Sequence, residues 1–155
     1  MAPSSLDWQW KRFSELTLEE LYRMLALRSE VFVVEQRSLY LDADGLDAEC
    51  FHLLGGVPGT EQLGAYLRAL PPGLKFPEAS LGRVVTAPAL RGQRQGRDLV
   101  ERGLHFLAER FPGAPVRIGA QAYLQRFYEG FGFVAVSDVV ARRNRSSGVR
   151  RTRSG

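Results

Sequence analysis

At 155 residues, with 45% apolar and 25% charged side chains, the chain has the length and composition of one soluble globular domain. It holds no apolar run near the ~20 residues of a bilayer span and no secretory pattern at its start. Its single cysteine, Cys50, excludes an intrachain disulfide, so no membrane partner and a cytoplasmic setting are the expectation. The net charge of +4 belongs to the end of the chain, because residues 142–155 carry Arg142, Arg143, Arg145, Arg150, Arg151 and Arg153 and no acid, leaving −2 for residues 1–141.

In chain order, Trp8 to Lys11 with Phe13 alternates enough for a short first strand. Thr17 and Glu20 have the T-x-x-E spacing of a capping box, which starts a helix at Leu18. Leu18, Leu21, Leu25, Arg28 and Phe32 share one stripe of that helix, with Met24, Leu27 and Val31 beside it, and its end weakens in the β-branched run Val31 to Val34. Residues 40–49 are acidic and turn-forming. Phe51–Leu54 and Leu63–Leu70 read as strands, the second with clear alternation. Ser80–Thr86 is a strand, Gly96–Arg110 an amphipathic helix, Val116–Gly119 a strand, Ala122–Glu129 a helix and Phe133–Val140 a strand. The order β-α-β-β-β-α-β-α-β implies an α/β layer structure with a mixed sheet.

Between the strand ending at Thr86 and the next helix lies Arg91-Gly92-Gln93-Arg94-Gln95-Gly96. Such a turn offers backbone N–H groups and the positive end of a helix dipole to an anion. Gly92 and Gly96 permit close approach, and Arg91, Arg94 and Arg97 add charge; a merely solvated arginine loop is the plain alternative. The Gly-Lys-Ser/Thr ending of a nucleotide P-loop is absent, as is a G-x-G-x-x-G order.

Val84 to Leu99 followed by Ala122-Tyr123-Leu124-Gln125-Arg126-Phe127-Tyr128-Glu129-Gly130-Phe131-Gly132-Phe133 resembles the GNAT superfamily of acetyl-CoA-dependent N-acetyltransferases. Leu27-Arg28-Ser29-Glu30-Val31-Phe32-Val33-Val34-Glu35-Gln36, the Asp42/Asp44/Asp47 stretch, His52-Leu53-Leu54-Gly55, Arg83-Val84-Val85 and Gly119-Ala120-Gln121-Ala122 are similar to the ElaA family within it. The resemblance spans about residues 7–140. It implies a GNAT fold: a central mixed, mostly antiparallel sheet with splayed fourth and fifth strands, flanked by helices. It also implies acetyl-CoA as co-substrate, no metal, and an amine acceptor. The loop of residues 91–97 would hold the CoA pyrophosphate, although Arg94 stands where the family pattern has its middle glycine. Backbone groups of Val84, Val85 and Thr86 would pair with the pantetheine arm, Gln121 would join the donor site, and Tyr128 would protonate the leaving thiolate.

Direct transfer also needs a group that takes the amine proton. Glu35 follows four apolar residues, so burial would raise its pKa, and His52 titrates naturally near neutrality; Gln121 and a water-relayed route are further candidates. The competing readings are a helix-end carboxylate and a histidine bonded within the sheet. Cys50 and His52 invite a dyad reading but lack a third orienting group, so a core thiol is preferred. Asp42, Asp44, Asp47 and Glu49 lack calcium-loop spacing and read as an acidic rim that would attract a cationic amine.

The resemblance ends where a last strand is due. Family members continue with an acidic segment that becomes this strand, whereas here an Arg-rich stretch follows Ala141. The sequence therefore reads as one domain over residues 1–141 and a disordered tail over 142–155, with the last strand atypical or missing. On this reading nucleic acid is a partner only through the tail, a homodimer is left open, and a non-catalytic CoA-binding module is the alternative to an enzyme.

Overall fold

A computed structural model of the protein describes residues 5–37, 40–121, 124–135 and 146–151. The elements run β1 (Asp7–Arg12), α1 (Leu18–Arg28), β2 (Phe51–Gly56), β3 (Leu63–Leu70), β4 (Ala79–Thr86), α2 (Gln95–Arg110), β5 (Val116–Gln121), α3 (Gln125–Glu129), β6 (Val134–Ala135) and β7 (Ser146–Arg151). The strands form one sheet in the order β1-β2-β3-β4-β5-β7-β6. All neighbours are antiparallel except β4 and β5, which are parallel.

The capping box forms as expected. The Thr17 hydroxyl accepts from the Glu20 N–H at 3.0 Å, and the Glu20 carboxylate accepts from the Thr17 N–H at 2.9 Å. From this start α1 lays Met24 and Leu27, and Val31 just beyond it, on Leu54, Tyr66 and Val85 on one face of the sheet. Past Arg28 the helix does not stop; it widens to π-helical turns over Ser29–Glu35, where the Gln36 N–H reaches back five residues to the Val31 carbonyl. The crowded β-branched run fits this loosened geometry, which often marks functional segments.

On the opposite face, Leu53, Leu67 and Leu81 pack against Leu99, Val100, Leu104 and Leu107 of α2. The alternation of β3 makes both cores possible: Ala65, Leu67 and Ala69 face α2, while Tyr66 faces α1. Helix α2 lies close to the strands because Gly103 has no side chain; a Cβ there would fall 2.9 Å from Leu81.

Two features shape the centre of the sheet. β4 and β5 are partners only at Ala79↔Val116 and Ser80↔Arg117, and beyond these pairs the strands part. On its other edge β4 carries a bulge, since Tyr66↔Val85 is followed by Arg68↔Gly82 and Arg83 takes a φ of 51°.

The end of the chain corrects the sequence reading. Ser146–Arg151 is a strand seated between β5 and β6, paired from Val116↔Arg151 to Gln121↔Ser146 on one side and at Val134↔Arg150 and Ala135↔Val149 on the other. A gap between two strands presents rows of N–H and C=O groups that must be satisfied. Any extended backbone meets that demand, and so the Arg/Ser/Gly composition did not forbid a strand. Residues 146–151 thus form the last strand that was expected to be atypical or missing, atypical in composition but present, while residues 142–145 and 152–155 lie outside the described residues. The expected strand over Phe133–Val140 is described only as Val134–Ala135. The helix expected from Ala122 is described as Gln125–Glu129, with residues 122–123 and 136–140 outside the described set.

Candidate active site

Where β4 and β5 separate, the edge of β4 from Leu81 to Thr86 has no strand ladder on the β5 side among the described residues. Unpaired backbone groups beside a wedge are an invitation to an extended ligand that can complete the sheet. The wedge opens into a cavity of about 390 Å³ bounded by Val84, Ile118 and Tyr128, with Phe32, Tyr40 and Phe76 around it. Val84 lines this cavity, whereas the Val85 side chain turns away into the α1 core, as neighbours on a strand must. Tyr128 is 5% exposed and is fixed by edge-on contacts with Phe127 and Phe133 at ring separations of 5.1 Å and 6.0 Å.

Beyond Thr86 a 3-10 turn, Pro88–Leu90, leads into the arginine loop, and α2 begins at Gln95 with no side-chain cap on its first turn. Gly92 and Arg94 both take left-handed backbone angles, at φ 84° and 64°. The missing family glycine at position 94 thus has a structural meaning: the backbone keeps the conformation glycine adopts freely, and an arginine bears the strain. Thr86, Arg91, Gly92, Arg94, Gly96 and Arg97 line a second cavity of about 380 Å³, which Phe127 and the buried Gln95 complete. Gln93 sits in the loop without lining that cavity. The Arg97 guanidinium lies 5.0 Å from the Phe131 ring centre and 3.4 Å from Glu101. Backbone pairing of Gln121 with Ser146 places it at the end of β5; its side chain lies outside the description.

Neither candidate base sits as the sequence suggested. Glu35 is exposed and held by Arg91 in a two-pronged pair at 2.6 Å and 2.8 Å. The hydrogen bond from Arg91 holds its carboxyl below the usual range, the opposite of the expected rise. Of the apolar residues before Glu35 only Val31 is buried, with Phe32 packed beside it; Val34 is exposed, and the Glu35 carboxylate points to solvent and to the loop. His52 is fully buried, with Nε2 2.8 Å from the Asp47 carbonyl and Nδ1 2.6 Å from the Tyr66 hydroxyl. A carbonyl only accepts, so Nε2 carries the proton and Nδ1 accepts from Tyr66. Burial lowers the His52 pKa, which keeps the ring neutral and its two nitrogens engaged. The sheet-bonded reading of His52 is the one the geometry supports.

The three aspartates of the acidic stretch do not form a free rim; Glu49 is exposed. Arg28 is fully buried on α1, where its guanidinium bonds Asp47 at 2.8 Å and the Asp42 carbonyl at 2.9 Å. Arg68, 1% exposed, bonds Asp44 at 2.6 Å and 2.9 Å and Asp47 at 2.9 Å, and Arg83 reaches Asp42 at 2.8 Å. Hydrogen bonding to these arginines pushes the Asp44 and Asp47 carboxyls down. The signals in the sequence were an arginine on an apolar helix stripe and three aspartates two to three residues apart. Cys50 belongs to the same region, its buried thiol donating to the Leu46 carbonyl at 3.2 Å and pushed up to about 11 by burial. It is a core thiol, and no hydrogen bond joins it to His52 among those of the described residues. The sequence reading also passed over Lys75 and Phe76, which a loop brings to the cavity without any local motif.

A sheet that splays between parallel β4 and β5, with a glycine-type loop opening the helix after β4, defines the GNAT class of fold. A family model described as "Acetyltransferase (GNAT) domain" matches residues 75–149, reaching into β7. A UPF0039 protein of Synechocystis sp. is 46% identical over 133 residues, 86% of each chain. Protein ElaA of Escherichia coli is 40% identical over 136 residues, 86% of this chain and 88% of its own. The crystal structure of an acyl-CoA N-acyltransferase from Pseudomonas aeruginosa superposes with a TM-score of 0.87 at 45% identity, covering 96% of this chain and 100% of that one. Escherichia coli ElaA superposes at 0.86 with 38% identity, over 94% and 99%. The chain belongs to the ElaA (UPF0039) family of GNAT-domain proteins. Among the described residues, no helix is long and apolar enough to cross a membrane.

Proposed function

We propose that the protein is an acetyl-CoA-dependent N-acetyltransferase that moves an acetyl group directly to a primary amine. The observation that carries this reading is the continuity of three features: the open β4 edge, the uncapped α2 N-terminus with its arginine loop, and Tyr128 between them. The loop cavity suits a diphosphate, with backbone N–H groups and Arg91, Arg94 and Arg97 as donors. The β4 edge suits the amides of a pantetheine arm.

In the proposed step the amine nitrogen forms a bond to the thioester carbonyl carbon and the carbon–sulfur bond breaks. The Tyr128 hydroxyl gives its proton to the departing sulfur, and the nitrogen loses a proton to water. Glu35 and His52 are left out of this step because one is locked to Arg91 and the other is enclosed. The rival reading, a CoA-binding module without turnover, rested on a missing last strand, and β7 removes its premise.

The test is thiol release from acetyl-CoA across a panel of primary amines, with wild type and Tyr128→Phe compared. Amine-dependent thiol release that falls about 100-fold or more in the variant, with its thermal shift by acetyl-CoA retained, is expected. A thermal shift by acetyl-CoA with no amine-dependent release in wild type would restore the binding module.

A further inference from the structure

The cavity in the β4–β5 wedge has an uneven electrostatic lining. Tyr40, Phe76 and Tyr128 supply aromatic surface, Lys75 and Arg83 supply positive charge, and no aspartate or glutamate lies among its described lining residues. The two cations are not equivalent. Arg83 is paired with Asp42 at 2.8 Å, whereas Lys75 has no ion pair among the described residues and sits 5.7 Å from the Phe76 ring centre. Lys75 is exposed and lines the cavity. Partial withdrawal from water, then the neighbouring charges of Arg83 and Arg68, hold its pKa below the ordinary lysine value. An anion placed there would relieve that repulsion.

The acetyl donor has no use for this charge. Its phosphates fit the arginine loop, whose cavity shares no described lining residue with this one, and its pantetheine arm is uncharged. The aspartates that would have recruited a cation are bound to Arg28, Arg68 and Arg83.

Resting on the acetyltransferase reading, we infer that the acceptor is a primary amine that also carries a carboxylate on an apolar or aromatic body, with Lys75 holding the carboxylate. This reverses the cationic acceptor expected from the sequence. Phe32, Phe76 and Tyr40 would take the apolar body, and the amine would face the β4 edge beside Tyr128.

Two measurements test the inference independently. In thiol-release assays, phenylalanine is compared with 2-phenylethylamine, 6-aminohexanoate with hexylamine, and both pairs with spermidine. At least one acid is expected to exceed its uncharged partner tenfold or more in kcat/KM, and Lys75→Met to abolish that preference while leaving the KM for acetyl-CoA unchanged. Equal or better use of spermidine or the carboxylate-free amines, or an equal loss on both members of each pair in the variant, would overturn the inference. The second measurement is calorimetric binding of 3-phenylpropanoate and 3-phenylpropan-1-ol in the presence of CoA. Tighter binding of the carboxylate, lost in Lys75→Met, supports the anion site even without turnover, in which case only the acetyltransferase reading falls. Equal binding of the two compounds overturns the inference whatever the amines do.

Discussion

The two sides of the sheet use arginine in opposite ways. Beneath α1, Arg28 and Arg68 are buried and, with Arg83, matched to Asp42, Asp44 and Asp47, so their charges are answered inside the fold. In the loop before α2, Arg94 is exposed on a left-handed backbone and Arg91 makes an exposed pair with Glu35, while Arg97 in the first turn of α2 is exposed beside Glu101. Composition alone treats these arginines as equals. What separates them is where an acid meets them: inside the fold beneath α1, but in exposed pairs at the loop, which an anionic ligand can replace.

Breaking the closed side should have the largest effect. Asp47 joins Arg28 to Arg68, and Asp47→Ala takes one carboxylate from each of two buried guanidinium groups, leaving them only Asp42 and Asp44, with an expected loss of about 3–5 kcal/mol in chemical denaturation. A loss below about 1 kcal/mol would place the network among ordinary surface pairs. On the open side, Tyr128→Phe should lower kcat by about 100-fold or more, in the range of a lost general acid, with little change in stability. An equal fall in stability and activity would return Tyr128 to a packing role.

The closed side also carries a pH signature. His52 has a folded pKa below its ordinary value of 6.5, so the unfolded chain takes up a proton first as the pH falls. Stability is full above 6.5, declines as pH drops from there toward the folded pKa, and levels beneath it. Asp44 and Asp47, also depressed, add a second decline once pH falls below about 3.8. Denaturation midpoints measured between pH 8 and 3 should show both steps, and His52→Gln should remove the first alone. The smallest effect is expected for Glu35→Gln. It breaks an exposed pair with Arg91 and should leave the denaturation midpoint nearly unchanged and change kcat by under about threefold. A hundredfold fall in kcat with a changed pH profile would restore Glu35 as the base.

Much of this was legible in the sequence because its signals are local. The Thr17–Glu20 cap, the alternation of Leu63–Leu70 and the loop-to-helix transition at Arg94–Gln95 are set by residues within one or two turns of each other. The failures involve partners far apart in the chain. Glu35 was read by its apolar neighbours, but its state is set by Arg91, 56 residues on. The aspartates were read as free charge because Arg68 and Arg83 lie 21 to 41 residues beyond them. The last strand was missed because its warrant is a gap between β5 and β6 rather than its own apolar pattern.

Hydrogen–deuterium exchange with and without acetyl-CoA addresses the contrast between the two sides most directly. Protection is predicted at the β4 edge, Leu81 to Thr86, and at the loop, Gly92 to Arg97, with no change over Asp42 to Asp47. Protection confined to other segments, or none at saturating acetyl-CoA, would contradict the assignment of the open side as the donor site.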